Sequence, residues 1–397
     1  MLTLKKLSLT TASSTLIFFA TTLPSTAVSF YSITELPFSP SDINDNGQIV
    51  GEKYLWNNGT ITDFSNLISE NPNFMQLTGI NNQGKIVGYW FAGSYHTGEQ
   101  AFLADSTNIT KIDRPPINVC GSENSCTNLI PQDINDSGQI ALVGLRPPET
   151  FRYGAFGLLR DTDGTFTNLF SARAIVGMAL NNSGQVIGNG GGAGVRNSWF
   201  YDNGKVNLLF PTEHFRDSTF SIPVTVSSIN DRGQVVGFGN ISNDPQNIYS
   251  SPTHGVFWDN PEQNPVGIDL GTLGGSYSEA NSINNLGQIV GTSGLNYNSR
   301  SAVIWEENTI YDLNESIDPN SGWQLTSALK INNQGQIIGN GYLNDKLASF
   351  LLTPVSKSVP EPTSAVSLLG FAAFGLGWQI KLRCKKKSLF TFPKIGL

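Results

Sequence analysis

The sequence predicts an all-β fold, a β-propeller of seven four-stranded blades closed by the N-terminal strand. The main evidence is a short motif, first seen as Ile43-Asn-Asp-Asn-Gly-Gln-Ile-Val-Gly51, that occurs seven times. The first glycines of the copies are Gly47, Gly84, Gly138, Gly184, Gly233, Gly287 and Gly335. Neighbouring copies therefore lie 37 to 54 residues apart, and a period of roughly 40–50 residues is typical of propellers. Glycine is also abundant, at 41 of 397 residues, as in turn-rich all-β proteins.

Residues 1–27 are predicted to be a cleaved secretion signal. Lys5 and Lys6 precede an apolar stretch centred on Leu16–Ala20, and small residues occupy the positions Ser25 and Ala27. This order of a basic, an apolar and a small-residue region is what signal peptidase reads. An uncleaved anchor would need a longer apolar run.

Residues 28–355 are predicted to form the propeller. In each motif copy, Asn and Asp favour a turn, Gly permits positive φ, and the following Ile or Val begins a strand. A second hairpin follows, as in Tyr54–Trp56 and Thr60–Phe64, which makes four strands per repeat. The seventh copy is followed only by Ala348–Thr353, and an orphan strand, Tyr31–Leu36, precedes the first. Pairing these two segments would close the ring and protect its edge.

The C-terminal region is predicted to cross the membrane temporarily. Val359-Pro-Glu-Pro362 precedes an apolar segment of about 18 residues, which is long enough to span a bilayer. A basic cluster follows at Lys381, Arg383, Lys385, Lys386 and Lys387. Basic residues remain in the cytoplasm, so everything before the span should be exported and residues 388–397 should form a short cytoplasmic tail.

This C-terminal pattern resembles the PEP-CTERM sorting signal of Gram-negative bacteria. The matching residues are Val359, Pro360, Glu361 and Pro362, the apolar span, and the basic cluster, which together cover residues 359–387. The resemblance implies export and cleavage by an exosortase. Residues 388–397 continue beyond the basic cluster, which departs from the usual pattern.

The repeat region resembles the extracellular HAF-repeat proteins. The best match combines His254–Asp259, Asp269–Gly275 and the motif copy Ile283–Gly291. The resemblance covers nearly the whole mature chain and implies a secreted protein built from repeats. It carries over no catalytic residues.

Net charge restricts the partners of the mature chain. Eight of the 24 Lys and Arg residues lie in residues 1–27 or after residue 380, and only Glu361 of the 31 acids lies outside the repeat region. The remaining 16 basic and 30 acidic residues give a net charge near −14. Such a body repels phosphate backbones, so we expect no nucleic-acid partner. Extracellular polysaccharide and other surface proteins are compatible with this charge.

Cys120 and Cys126 are predicted to form a disulfide at the base of a loop that protrudes between the second and third motif copies. An exported protein meets an oxidising compartment, and the third cysteine, Cys384, lies in the sorting segment. The alternative is a metal or redox site. It would need further ligands nearby or a C-x-x-C spacing, and the sequence has neither.

Calcium is the one cofactor that the motif suggests. Two copies begin like a calcium-binding loop, with candidate ligands at Asp42, Asn44, Asn46, Asp133 and Asn135. Neither copy has a Glu at the twelfth position, and the other five lack the first ligand. Turn chemistry explains all seven copies, so the sequence predicts no cofactor and leaves calcium as the alternative.

Few residues suggest catalysis. The three histidines are His96, His214 and His254, and the densest ionisable cluster outside the repeat is Thr212–Ser218. The sequence has no nucleophile elbow, H-E-x-x-H motif or phosphate loop. The four tryptophans at third-strand positions are expected to pack between blades; they are Trp56, Trp199, Trp258 and Trp305. Trp90 and Trp323 fall outside that register and are candidates for carbohydrate stacking.

Two functions fit these observations. The first is a non-catalytic interaction scaffold at the cell surface or in the extracellular matrix. The second is an extracellular carbohydrate-active enzyme with its site at the mouth of the propeller. The enzyme would need two or three acids converging in one pocket, on segments that break the repeat.

Overall fold

A computed structural model describes most of residues 30–355. The described residues are 30–69, 72–91, 99–120, 126, 128–145, 154–172, 174–192, 195–215, 224–242, 252–296 and 299–355. The predicted secretion signal (1–27), sorting segment (359–387) and tail (388–397) lie outside them. Within the described residues, no helix has both the length and the apolarity needed to span a membrane.

The described chain is almost entirely β-structure. Its first strands are β1 (Phe30–Leu36), β2 (Asp42–Ile43), β3 (Ile49–Gly51), β4 (Tyr54–Asn57), β5 (Thr60–Asp63), β6 (Phe74–Ile80), β7 (Ile86–Phe91), β8 (Gln100–Ala104) and β9 (Ile109–Lys111). The next are β10 (Asn128–Ile134), β11 (Ile140–Leu145), β12 (Ala155–Arg160), β13 (Phe166–Ala172), β14 (Ala174–Leu180), β15 (Val186–Gly192), β16 (Val195–Asp202) and β17 (Lys205–Leu209). The last are β18 (Val224–Ile229), β19 (Val235–Asn240), β20 (Thr253–Trp258), β21 (Ile268–Asp269), β22 (Tyr277–Ile283), β23 (Ile289–Asn296), β24 (Ser299–Glu306), β25 (Thr309–Asp312), β26 (Trp323–Ile331), β27 (Ile337–Leu343) and β28 (Lys346–Val355).

Among the described residues, helical structure is limited to single turns. One α-helical turn, α1, spans Ile117–Cys120. The 3₁₀ turns are Phe64–Leu67, Glu213–Phe215 and Leu313–Ser316.

The strands form successive antiparallel sheets in chain order. Four sheets consist of β2–β5, β6–β9, β10–β13 and β14–β17. The strands β18–β21 and β22–β25 follow, and a parallel pair between Thr253 and Tyr277 connects β20 to β22. The final sheet has the order β1-β28-β27-β26. Consecutive four-stranded antiparallel sheets of this kind are the blades of a β-propeller.

The two ends of the repeat region pair with each other. β1 runs antiparallel to β28, from Phe30 opposite Val355 to Leu36 opposite Ser349. The orphan N-terminal strand therefore supplies the outermost strand of the last sheet, as the sequence predicts. Sheet closure by a terminal strand covers an edge that would otherwise be exposed.

The core lies between neighbouring sheets. Trp199, Trp258 and Trp305 occupy the third strands of their sheets and are almost fully buried, as expected. Trp199 packs tightly against the neighbouring sheet, since a Cβ on Gly157 of β12 would lie only 3.2 Å from its ring. Packing between sheets, rather than local strand propensity, therefore stabilises each sheet.

The sulfur atoms of Cys120 and Cys126 are bonded, which closes a loop of six residues' separation. Both cysteines are buried, and Cys126 packs against Gly144 of β11. They belong to a core cluster that includes Leu142 and Leu158. The disulfide is thus part of the interior. The loop that is predicted to protrude, residues 121–125, lies outside the described residues.

Candidate functional site

The seven motif copies surround one opening. Each copy forms the turn between the first and second strands of a sheet, as between β2 and β3. A cavity of about 160 Å³ is lined by the opening Ile-Asn-Asn/Asp residues of the copies, with Leu180 in place of Ile in the fourth, and by Asp42. We call this opening the mouth.

The first asparagine of each copy builds its own turn. In the first copy, the Oδ1 atom of Asn44 accepts hydrogen bonds from the backbone N–H groups of Asn46 and Gln48 at 3.1 and 3.0 Å. Its Nδ2 donates to Oε1 of Gln48 at 2.8 Å. Gly47 has a φ of +73°, a conformation that glycine adopts without steric cost. The Asn-x-x-Gly-Gln spacing of the sequence therefore encodes this hairpin directly.

The same asparagines form a closed ring, here called the inner ring. The Nδ2 of each donates to the main-chain oxygen of its counterpart in the next copy, at 2.9 to 3.1 Å. The members are Asn44, Asn81, Asn135, Asn181, Asn230, Asn284 and Asn332, all buried. The last bond runs from Asn332 to Asn44, 288 residues apart in sequence. Side chains thus close the circle independently of β1.

The next residue of each copy forms a second closed ring, here called the outer ring. Its members are Asp45, Asn82, Asp136, Asn182, Asp231, Asn285 and Asn333. The backbone N–H of each donates to Oδ1 of the next at 2.7 to 2.9 Å. No two aspartates are neighbours in this ring.

The alternation of acid and amide satisfies the outer-ring carboxylates. The Oδ2 atom of Asp136 accepts from Nδ2 of Asn82 at 3.0 Å and of Asn182 at 3.2 Å. Asp45 and Asp231 each accept from two amides in the same way. Each of the three carboxylates therefore accepts hydrogen bonds from the amides on both sides, and these bonds stabilise the ring.

At the position that precedes the motif, three charged side chains interrupt the repeat. The residues that precede the seven copies are Asp42, Gly79, Asp133, Ala179, Ser228, Ser282 and Lys330. The carboxylates of Asp42 and Asp133 accept from the backbone N–H groups of Ile80 and Leu180, both at 3.0 Å. Each side chain therefore bonds to the next copy, as Ser228 and Ser282 also do.

The charge of the Asp42 carboxyl group affects that of Asp133. Burial raises the pKa of Asp133 to about 7, with a further increase from the charge of Asp42 and an opposing effect from Lys330. Burial also raises the pKa of Asp42. Lys330 was not a predicted site residue. The sequence could have indicated it, because Lys330 is charged and most of the other copies have a small residue at the same position.

The predicted calcium residues do not form a shared ligand set. Asn44 and Asn135 use their Oδ1 atoms in their own turns, and Nδ2 of Asn46 donates to the backbone oxygen of Asn82. Asp42 and Asp133 come from different copies and bond to backbone N–H groups. Among the described residues, no group of three or more His, Cys, Asp or Glu side chains is placed to hold a metal ion.

His254 is paired with an aspartate away from the mouth. Its Nδ1 lies 2.8 Å from Oδ1 of Asp269, which also accepts from the backbone N–H of Gly271. Partial burial acts to raise the pKa of Asp269, but these two hydrogen bonds outweigh it and lower the pKa. The pair joins β20 to the two-residue strand β21. His96 lies outside the described residues, as does the end of the cluster Thr212–Ser218 after residue 215.

The tryptophans outside the repeat register have structural positions. Trp90 is 4% exposed and packs against Phe102, so the prediction that it stacks on carbohydrate is wrong. Phe91, the next residue of the same strand, points to the opposite face and is also buried. Trp323 is half-buried and meets Phe350 edge-on.

Comparison with known proteins identifies no family for this chain. No family model matches it, and no curated protein matches it. Among solved structures it is similar to the β-propeller domain of the trilobed protease from Pyrococcus furiosus, with 10% identity, a TM-score of 0.36, and coverage of 71% of this chain and 96% of that one. It is also similar to the WD40 repeats of RRP9, with 9% identity, a TM-score of 0.46, and coverage of 82% of this chain and 98% of that one. A third similar structure is an ulvan lyase, a polysaccharide lyase, with 12% identity, a TM-score of 0.40, and coverage of 81% of this chain and 94% of that one.

Proposed function

We propose that this chain is a secreted protein of the cell surface or extracellular polymer layer that uses a seven-bladed propeller as a non-catalytic interaction scaffold. The observation that carries the proposal is the hydrogen bonding of the outer ring. Asp45, Asp136 and Asp231 are the acids of the repeated motif at the mouth, and amide groups on both sides occupy each of them. Motif residues used in this way build a rigid ring and leave partner binding to other surfaces.

The mouth supports a count of seven blades. It is lined by seven turns, and each turn joins the first two strands of one sheet. The parallel pair between Thr253 and Tyr277 would then be a contact between two blades rather than part of one sheet.

Export and exosortase processing complete the proposal. They rest on the signal-like residues 1–27 and on the resemblance of residues 359–387 to a sorting signal. The mature protein would begin near Val28, be anchored transiently by its C-terminal span, and be released or attached after cleavage near Pro360–Pro362. Its partners would be exosortase during processing, and polysaccharide or surface proteins afterwards.

The enzyme alternative has one specific observation in its favour. The charge of Asp42 raises the pKa of Asp133, both residues stand at positions that break the repeat, and Asp42 lines the mouth. A carboxyl group with a raised pKa can act as a general acid. These two residues are therefore the acids that a carbohydrate-active enzyme of this fold would use.

A cleavage assay separates the two functions. The mature protein is incubated with the exopolysaccharide of the producing bacterium, and polymer length is followed by size-exclusion chromatography. We expect polymer binding without shortening, and the same binding by the double variant Asp42→Asn/Asp133→Asn. Shortening by the wild type that the double variant abolishes would replace the scaffold with an enzyme.

A further inference from the structure

β1 differs from other outermost strands in its connection to the chain. β5 and β17 follow their neighbours through two-residue turns at Asn58–Gly59 and Asn203–Gly204. β1 instead pairs with β28, from which more than 300 residues separate it in sequence. It can therefore leave the edge of its sheet without the rest of that sheet unfolding.

The circle of sheets does not depend on β1. The first and last sheets are also joined at the mouth, where Nδ2 of Asn332 donates to the backbone oxygen of Asn44 at 2.9 Å. The backbone N–H of Asn333 donates to Oδ1 of Asp45 at 2.8 Å. Departure of β1 would leave these bonds in place, while uncovering the outer edge of β28 and the core side chains that pack against β1.

The edge of β28 fits the side chains of β1. Tyr31 is buried in the same cluster as Phe350 and Leu352. Leu36 is buried in another cluster with Ile338 and Leu351. Without β1, residues 349–355 would present unpaired backbone groups beside exposed apolar side chains, which is a template for pairing with another strand.

The segment that follows β1 provides a hinge. Pro37 and Pro40 lie in residues 37–41, and a residue before proline favours extended conformations. Phe38 is buried and its ring lies 5.5 Å from that of Tyr54, which fixes the segment beyond Pro37. Movement is thereby confined to the junction of Leu36 and Pro37.

We infer that β1 is an exchangeable strand, and that a second copy of this chain is a partner whose β1 pairs with β28 in the register seen within one chain. Strand exchange replaces each contact with an identical one, so concentration decides between the two forms. A strand on a short tether has an effective concentration on the order of millimolar, and exchange therefore requires chains packed to about that level. This inference rests on the proposed function, because a surface scaffold works at high local density.

Cysteine cross-linking tests the exchange. Ser32 and Thr353 are register partners in β1 and β28. The single variants Ser32→Cys and Thr353→Cys, both with Cys384→Ser, are mixed at about 10 µM and at about 1 mM, on either side of the expected effective concentration. We expect the disulfide-linked pair to rise from a trace to a main species. The matched control is Asn57→Cys mixed with Thr60→Cys, partners in turn-connected strands, which should cross-link far less than the first pair at the same concentration.

Sedimentation gives a second answer that does not depend on cross-linking between chains. The wild type should contain dimers at about 1 mM, whereas the oxidised double variant Ser32→Cys/Thr353→Cys, with its strand locked, should remain monomeric. A wild type that stays monomeric, or a locked variant that dimerises equally, would overturn the exchange. Either result leaves the scaffold proposal intact, since only polymer cleavage by the chain contradicts that proposal.

Discussion

The outer ring predicts that the same substitution has different effects at two positions. Asn182 donates from Nδ2 to Asp136 at 3.2 Å and to Asp231 at 3.1 Å. In Asn182→Asp, both hydrogen bonds become contacts between like charges. Asn285 donates to only one carboxylate, that of Asp231 at 2.7 Å, and its other neighbour is Asn333. Asn285→Asp therefore creates one such contact and is the matched control.

The magnitude follows from the number of contacts. Two charges 4 Å apart repel by about 1 kcal/mol in water and about 4 kcal/mol near a protein surface. Asn182 is exposed, which favours the lower part of that range. Each new contact together with the lost hydrogen bond should then cost about 2 kcal/mol. We expect Asn182→Asp to lower the free energy of unfolding by about 4 kcal/mol and Asn285→Asp by about half as much.

Urea unfolding at neutral pH measures both variants. The difference between them should shrink in about 1 M salt, where charges are screened beyond roughly 3 Å. Equal losses of stability in the two variants would refute the alternation of acid and amide as the source of ring stability. A difference that salt does not change would show that packing rather than charge is responsible.

Three further predictions concern the two ends of the chain and Asp133. Deletion of residues 28–37 should lower the melting temperature and promote aggregation through the edge of β28, which light scattering during thermal unfolding would detect; a monomeric variant with an unchanged melting temperature would contradict the closure. In Asp133→Asn the ionisable group is lost, and since the folded-state pKa of about 7 lies above the ordinary value of 3.8, the wild type loses stability as pH rises from about 4 to 7. The variant should therefore be more stable than the wild type at pH 8 and show no such gain at pH 4, as measured by urea unfolding at the two pH values. Mass spectrometry of the secreted protein should give a chain from near Val28 to near Pro360–Pro362, and an intact Lys385 in extracellular material would rule out the sorting signal.

The repeat made much of the fold predictable from local rules. The turn at Asn44–Gln48 depends on residues four positions apart, so its hydrogen bonds could be expected from turn chemistry alone. The pairing of β1 with β28 was predictable from counting strands, because one was missing at one end and one was unpaired at the other.

Contacts between copies were not predictable in this way. Asp42 matches the start of a calcium loop, yet its carboxylate bonds to Ile80 of the next copy. The environment of Trp90 likewise depends on the adjacent sheet, whose Val50 and Leu55 belong to the same core cluster, rather than on its position in the repeat. Which residues of two copies come into contact around the mouth depends on the packing of whole sheets. A motif read along the chain carries no information about that.

The order of acids and amides around the mouth follows from the geometry of a closed ring with seven members. An odd number cannot alternate fully, so one pair of like residues must occur. Here the pair is Asn285 and Asn333, in which the backbone N–H of the first donates to Oδ1 of the second. Two adjacent aspartates would instead repel by about 1 to 4 kcal/mol. The single irregularity thus falls on the pair that costs least, and each of the three acids keeps an amide on both sides, as expected of residues whose role is to hold the ring together.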